Sequence, residues 1–179
     1  RSSDLCVKRY YERIFMEVKG LLHKDGGPVI GVQIENEYGH CGGLTGEEGE
    51  EHMRRLKRLA VGAGFDVPYY TATGWGGAVT GGMLPVLGGY CDAPWDPRIT
   101  ELEPSVNYVF TQERNDRNIG SDLGMGEGLT WPWDKFPYLT AELGGAIQVT
   151  RHRRPVAAAA DNGAMTLTKL GCGANLLGY

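Results

Sequence analysis

The chain has 179 residues, a formal charge of −4 and 41% hydrophobic residues, enough apolar material for a substantial core. With 18 Lys+Arg against 22 Asp+Glu there is no net basic field to draw in phosphate backbones, so nucleic acid is not an expected partner. No run approaches the 18 or so apolar residues of a membrane helix, and no membrane partner is expected either. Residues 4–23 place Leu5, Tyr10, Tyr11, Ile14, Val18, Leu21 and Leu22 at three- and four-residue intervals, which predicts an amphipathic helix. Residues 28–34, rich in Val and Ile, then predict a short buried strand that delivers Glu35, Asn36, Glu37 and Tyr38 to its C-terminal end. Thr45-Gly-Glu-Glu48 is a capping-box pattern opening a helix to about Gly62, with Met53, Leu56, Leu59 and Ala60 on its inner face.

Further along, residues 66–71 predict a second strand, followed by a loop with Trp75, and residues 84–90 a third that ends at Tyr90. Residues 92–134 are an insertion broken by Pro94, Pro97, Pro104 and Pro132, within which a helix over about 96–118 is expected. Residues 136–144 repeat the first pattern: an apolar strand, a glutamate at its end (Glu142), then glycines. A helix over 157–170 with Gly171 as its stop closes the series.

Glycine stands at 28 positions, more than twice the average share of about 7%, often as doublets beside the strands, as long loops after strands require. No phosphate-cradling glycine motif follows a strand, so no nucleotide cofactor is expected. The four cysteines, Cys6, Cys41, Cys91 and Cys172, are widely spaced, and the four histidines are scattered. No metal is therefore implied, and free thiols are the default over a Cys41–Cys91 disulfide. His40, three residues after Glu37, reads as a polar loop residue.

The hexapeptide Ile34-Glu-Asn-Glu-Tyr-Gly39, after a Gly-Gly-Pro strand entry, resembles the acid/base motif of glycoside hydrolase family 35, the β-galactosidases. The resemblance implies Glu37 as acid/base, Asn36 as the residue holding the sugar 2-hydroxyl, and the stretch around Glu142 as the nucleophile site. It implies an α/β fold of the TIM (β/α)8 type, here partial, running from the helix before strand four to the start of strand eight. Residues 173–179 resemble that eighth strand and place Tyr179 beside the sugar. The interval from Glu37 to Glu142 is that of three or four βα units at about 31 residues each. On this reading the 179 residues are a fragment of a single catalytic domain lacking strands one to three and the barrel's end.

Glycoside hydrolysis needs two carboxyl groups, one to protonate the leaving oxygen and one to attack the anomeric carbon or activate water. The expected activity is retaining hydrolysis of terminal β-D-galactosides without a cofactor. Trp75, Tyr90 and Trp95, in loops of the expected active face, are further candidates for sugar contact. A different retaining barrel glycosidase, of β-mannosidase or endoglucanase type, would use the same Asn36-Glu37 pair, and a non-catalytic sugar-binding remnant is the alternative from another class. Compartment and oligomeric state have no signature in the sequence.

Overall fold

Among the described residues, three α-helices and four short parallel strands form an α/β arrangement. A computed structural model describes residues 2–40, 42–72, 78–90, 108–110, 135–144, 154 and 156–178. The chain divides into two compact units, one formed by the residues up to Ala72 together with Ala78–Leu84, the other dominated by the residues from Pro85 onward.

In the first unit, helix α1 (Ser2–Val18) packs Val7, Tyr11, Ile14, Phe15 and Val18 against the core. The helix expected to reach residue 23 stops at Val18. Gly20 takes a left-handed φ of 82°, which glycine adopts without steric cost, and the Leu21 N–H bonds back to Val18 O at 2.9 Å. Leu22, expected on the helix, is instead buried in a one-residue parallel bridge to Val29. That bridge also corrects the next strand. Residues expected to open it at 28 are held by Leu21 and His23, through Val29 N–H to Leu21 O at 3.0 Å and His23 N–H to Val29 O at 2.8 Å. Strand β1 therefore spans Val32–Asn36 and takes in Glu35 and Asn36, expected just beyond it, while Glu37 and Tyr38 follow its end.

Helix α2 (Gly46–Ala63) buries Gly49, Met53, Leu56 and Ala60, as its apolar spacing predicts, with Leu59 only partly covered. The capping box does not form: Thr45 sits at the N-cap in extended backbone without a side-chain cap. The carboxylates of its first turns are engaged elsewhere, Glu47 with Arg54 and Glu50 with the N–H groups of Thr80 (3.2 Å) and Gly81 (2.7 Å). Met53 is fully buried, and removing such a side chain from water is worth about 1.5–3 kcal/mol. It packs in one cluster with Ile34, Leu56, Ala60, Phe65, Val79 and Met83. Strand β2 (Tyr69–Ala72) pairs with β1 in parallel.

In the second unit, strand β3 (Leu84–Tyr90) pairs in parallel with β4 (Thr140–Gly144). Residues 175–178 run along the other side of β4, bridging Leu176 to Leu139 and donating from Asn175 to Tyr138 O at 2.7 Å. The Asn175 side chain returns the bond, accepting from Tyr138 N–H at 2.8 Å, which fixes this segment's register. Helix α3 (Ala159–Gly171) lies within two residues of its expected limits. Its N-cap is Ala158, which has no oxygen to offer, and Asp161 supplies the cap by accepting from Ala158 N–H at 2.6 Å. Of the helix expected over 96–118, the described part at 108–110 is not α-helical; Phe110 instead rests against Gly171, and the remainder falls outside the described residues.

Candidate active site

The polar end of β1 is built by a one-residue bulge. Val32 and Gln33 pair with Tyr69 and Tyr70, but the next pair is Asn36 with Ala72, so β1 has one residue more than β2 between them. An extra residue bends a strand and re-aims the side chains beyond it. The backbone shows this directly: Glu35 and Glu37 both have left-handed φ, 61° and 53°, and are the two non-glycine residues described with positive φ. Glutamate in that region costs roughly 1–2 kcal/mol, so its surroundings must hold it there.

They do so mainly through hydrogen bonds. Glu35 O accepts from Gln33 Nε2 at 3.1 Å and from Thr71 Oγ1 at 3.4 Å. Asn36 Oδ1 also accepts from Gln33 Nε2, at 3.1 Å, and Asn36 N–H donates to Glu35 Oε2 at 3.3 Å. Beyond the bulge, Glu37 O accepts from His40 N–H at 2.9 Å, closing a turn, and Tyr38 O accepts from Val79 N–H at 3.0 Å. The Tyr38 ring stacks on His52 of α2 with centroids 4.6 Å apart and planes 13° from parallel. Glu37, flanked by these supports, is half-buried, while Glu35 and Asn36 are exposed.

Glu35 also acts on its neighbours electrostatically. Burial, then the negative charge of Glu35 and then Tyr10, hold the Tyr11 hydroxyl above its ordinary value of 10.0.

Glu142 occupies a parallel position in the second unit. Leu87 pairs with Thr140 and the next pair is Gly88 with Glu142, so Ala141 is the extra residue of a second bulge immediately before the glutamate. Glu142 is half-buried, and its register partner is a glycine with no side chain to crowd it. Thr140, fully buried, anchors the strand through its N–H to Leu176 O at 3.0 Å and accepts from Gly178 N–H at 3.3 Å.

The structure thus gathers Asn36 and Glu37 at one strand end and puts Glu142 at another, on the second unit. Tyr90 closes β3 in register with Gly144. Trp75, Trp95, Tyr179 and the pair Cys41 and Cys91 lie outside the described residues. Among the described residues, no group of three or more His, Cys, Asp or Glu is placed to hold a metal ion, and no helix is long and apolar enough to cross a membrane. Gln33, Thr71 and His52 are supports that the sequence reading passed over. Strand alternation puts Gln33 two residues before Glu35 and was the available signal for it; His52 had none, because its contact is set by tertiary packing.

Parallel strands that present polar residues at their C-terminal ends are the arrangement in which α/β enzymes build their active sites. The profile of Glycosyl hydrolases family 35 matches residues 5–113, more than half of the chain, and the chain belongs to that family. Asn36 and Glu37 lie inside the matched stretch and Glu142 beyond it. Beta-galactosidase 17 of Arabidopsis thaliana is 41% identical over 69 residues, 38% of this chain and 9% of that protein. Beta-galactosidase 6 of Oryza sativa subsp. japonica is 37% identical over 65 residues, 35% of this chain and 8% of its own length. Beta-galactosidase of Xanthomonas manihotis is 32% identical over 76 residues, 42% of this chain and 12% of the relative. The chain is matched to no more than about an eighth of the length of these relatives.

Proposed function

We propose that the protein hydrolyses terminal β-D-galactosides with retention of configuration, Glu37 acting as acid/base and Glu142 as nucleophile. The observation that supports this most is the bulged, left-handed end of β1, which sets Asn36 and Glu37 in the motif of a family whose matched relatives are named beta-galactosidases. Strained non-glycine backbone at a strand's C-terminal end is the kind of distortion that persists where a reacting group must be aimed.

In the first step the Glu142 carboxylate attacks the anomeric carbon while Glu37 donates its proton to the departing glycosidic oxygen. The aglycone leaves as an alcohol, and a glycosyl ester of Glu142 remains. Water then attacks the same carbon, Glu37 takes its proton, and the ester bond breaks to return both carboxyl groups to their starting states. Asn36 donates to the sugar 2-hydroxyl and holds it in place, so that the hydroxyl's own proton is free to enter the hydrogen bonds that strengthen in the transition state.

A 2-fluorogalactoside with a good leaving group, applied to the full-length protein, is expected to trap the ester, and peptide mapping should find the label on Glu142. Label on another carboxylate would overturn the assignment. Glu37→Gln should lower kcat about 10²–10⁴-fold on substrates whose leaving group needs a proton.

A further inference from the structure

We propose that Gln33 is a positioning residue that fixes which end of the Asn36 amide is presented to substrate. The inference rests on the reading of Asn36 given above and starts from one backbone atom. The bulge falls between Gln33 and Asn36, and Glu35 O lies within it. That oxygen accepts from two side chains, Gln33 Nε2 at 3.1 Å and Thr71 Oγ1 at 3.4 Å.

A carbonyl oxygen only accepts. The end of the Gln33 amide that meets it must therefore be the NH2 group, which removes the usual ambiguity between the oxygen and nitrogen of a glutamine. The same NH2 group lies 3.1 Å from the Asn36 amide. A donor is matched there only by oxygen, so Oδ1 of Asn36 is turned to Gln33, and Nδ2 becomes its outward, donating end. The relay from Glu35 O through Gln33 to Asn36 converts a backbone bulge into a defined hydrogen-bond polarity at the strand end. A sugar 2-hydroxyl meeting Asn36 then finds a donor and offers its oxygen.

Two substitutions separate this from a merely structural role. Gln33→Met keeps the length and removes the donor; Gln33→Glu keeps the shape, but its ionised carboxylate only accepts, so it repels Glu35 O and draws Asn36 Nδ2 inward. Both are made in the full-length protein, with circular dichroism and thermal melting as checks of folding, and are assayed on 4-nitrophenyl β-galactoside and its 2-deoxy analogue beside Asn36→Ala. The loss of one neutral hydrogen bond predicts a fall in kcat/KM of about five- to tenfold on the galactoside for Gln33→Met, and a larger one for Gln33→Glu. The 2-deoxy substrate should be turned over as by the parent, and Gln33→Met should add nothing in the Asn36→Ala background.

Equal slowing of both substrates, or a further loss on top of Asn36→Ala, would overturn the positioning role. If Asn36→Ala slows the galactoside while folded Gln33 variants match the parent, Gln33 is excluded and the reading of Asn36 survives. If the parent turns over no galactoside, or Asn36→Ala costs nothing, both ideas fail together.

Discussion

Glu35 and Glu37 stand on either side of Asn36 with left-handed backbones, yet their surroundings differ. Glu37 O accepts from His40 N–H and Tyr38 O from Val79 N–H, whereas Glu35 O accepts from the side chains of Gln33 and Thr71 and the exposed Glu35 carboxylate from Asn36 N–H. Because the Glu35 side chain is exposed and Glu37 half-buried, Glu35 is the position where the side chain can be removed at the smaller cost. Glu35→Gly is expected to stabilise the protein by about 1 kcal/mol or less, the left-handed penalty removed minus the added freedom of the unfolded chain, while Glu35→Val should destabilise it. Denaturant midpoints at equal slope measure this, and a clear loss for the glycine variant would mean that the Glu35 side chain contributes more than its backbone costs. Glu35 also helps to raise the Tyr11 hydroxyl, behind the larger effect of burial. The sign of the linkage follows from the protons bound. Above the ordinary value of 10.0 the unfolded chain loses a proton that folded Tyr11 still holds, so stability is full below that pH and falls as pH rises through the folded value. Tyr69, raised by burial and then by Asp66, pushes the same way. The diagnostic is therefore a difference: between about pH 9 and 11.5, melting temperature should fall less steeply for Tyr11→Phe than for the parent.

Helix α2 and the turn at 80–83 illustrate how elements hold one another in the first unit. Glu50 caps the turn from the helix, and Lys57 Nζ donates to Gly82 O at 2.7 Å. Gly81 has φ 56°, and a Cβ placed there would stand 2.3 Å from Met53 Cβ and 2.9 Å from Met53 backbone carbon. Neither atom is the loose end of a side chain. Gly81→Ala therefore meets both a left-handed penalty and an overpacked helix face, and a destabilisation of about 2–4 kcal/mol is expected from the two effects, read by thermal or chemical unfolding. A change below about 1 kcal/mol would show that turn and helix separate at little cost. The apolar spacing of Met53, Leu56 and Ala60 made α2 legible from sequence, and the Val/Ile run with its glutamates marked the end of β1. What periodicity could not reveal were features set by contacts distant in sequence. The early stop of α1 depends on Leu22 finding Val29, the tie between α2 and the turn after it on Glu50 reaching residues 80–81, and the bulges before Asn36 and Glu142 on partner-strand register. The family resemblance pointed to the glutamates, but their left-handed or bulged settings are properties of pairing, which no single strand encodes.

At the scale of the whole molecule, the two proposed catalytic carboxylates belong to different compact units, and each is aimed by its own bulge. Double displacement requires the two carboxyl groups to flank one anomeric carbon at about 5–5.5 Å, whereas inversion needs about 6.5–9.5 Å to admit the attacking water between the general-base carboxylate and the sugar. The stereochemistry of the product thus measures how the complete protein sets one strand end against the other. The matched relatives are many times longer than the stretches they share with this chain, so the full-length protein is the proper sample. Proton NMR of the first sugar released from a β-galactoside, recorded before mutarotation, is expected to show the β-anomer. Glu142→Gly should then abolish hydrolysis of the natural linkage, because no carboxylate remains to form the ester. Added azide or formate can enter the vacated space and attack from the nucleophile's side, giving an α-galactosyl product. A β-anomer from the parent with an α-product from the rescued variant locates the nucleophile on the β4 bulge. An α-anomer from the parent would assign a single displacement instead, with Glu142 or another carboxylate activating water across the wider gap.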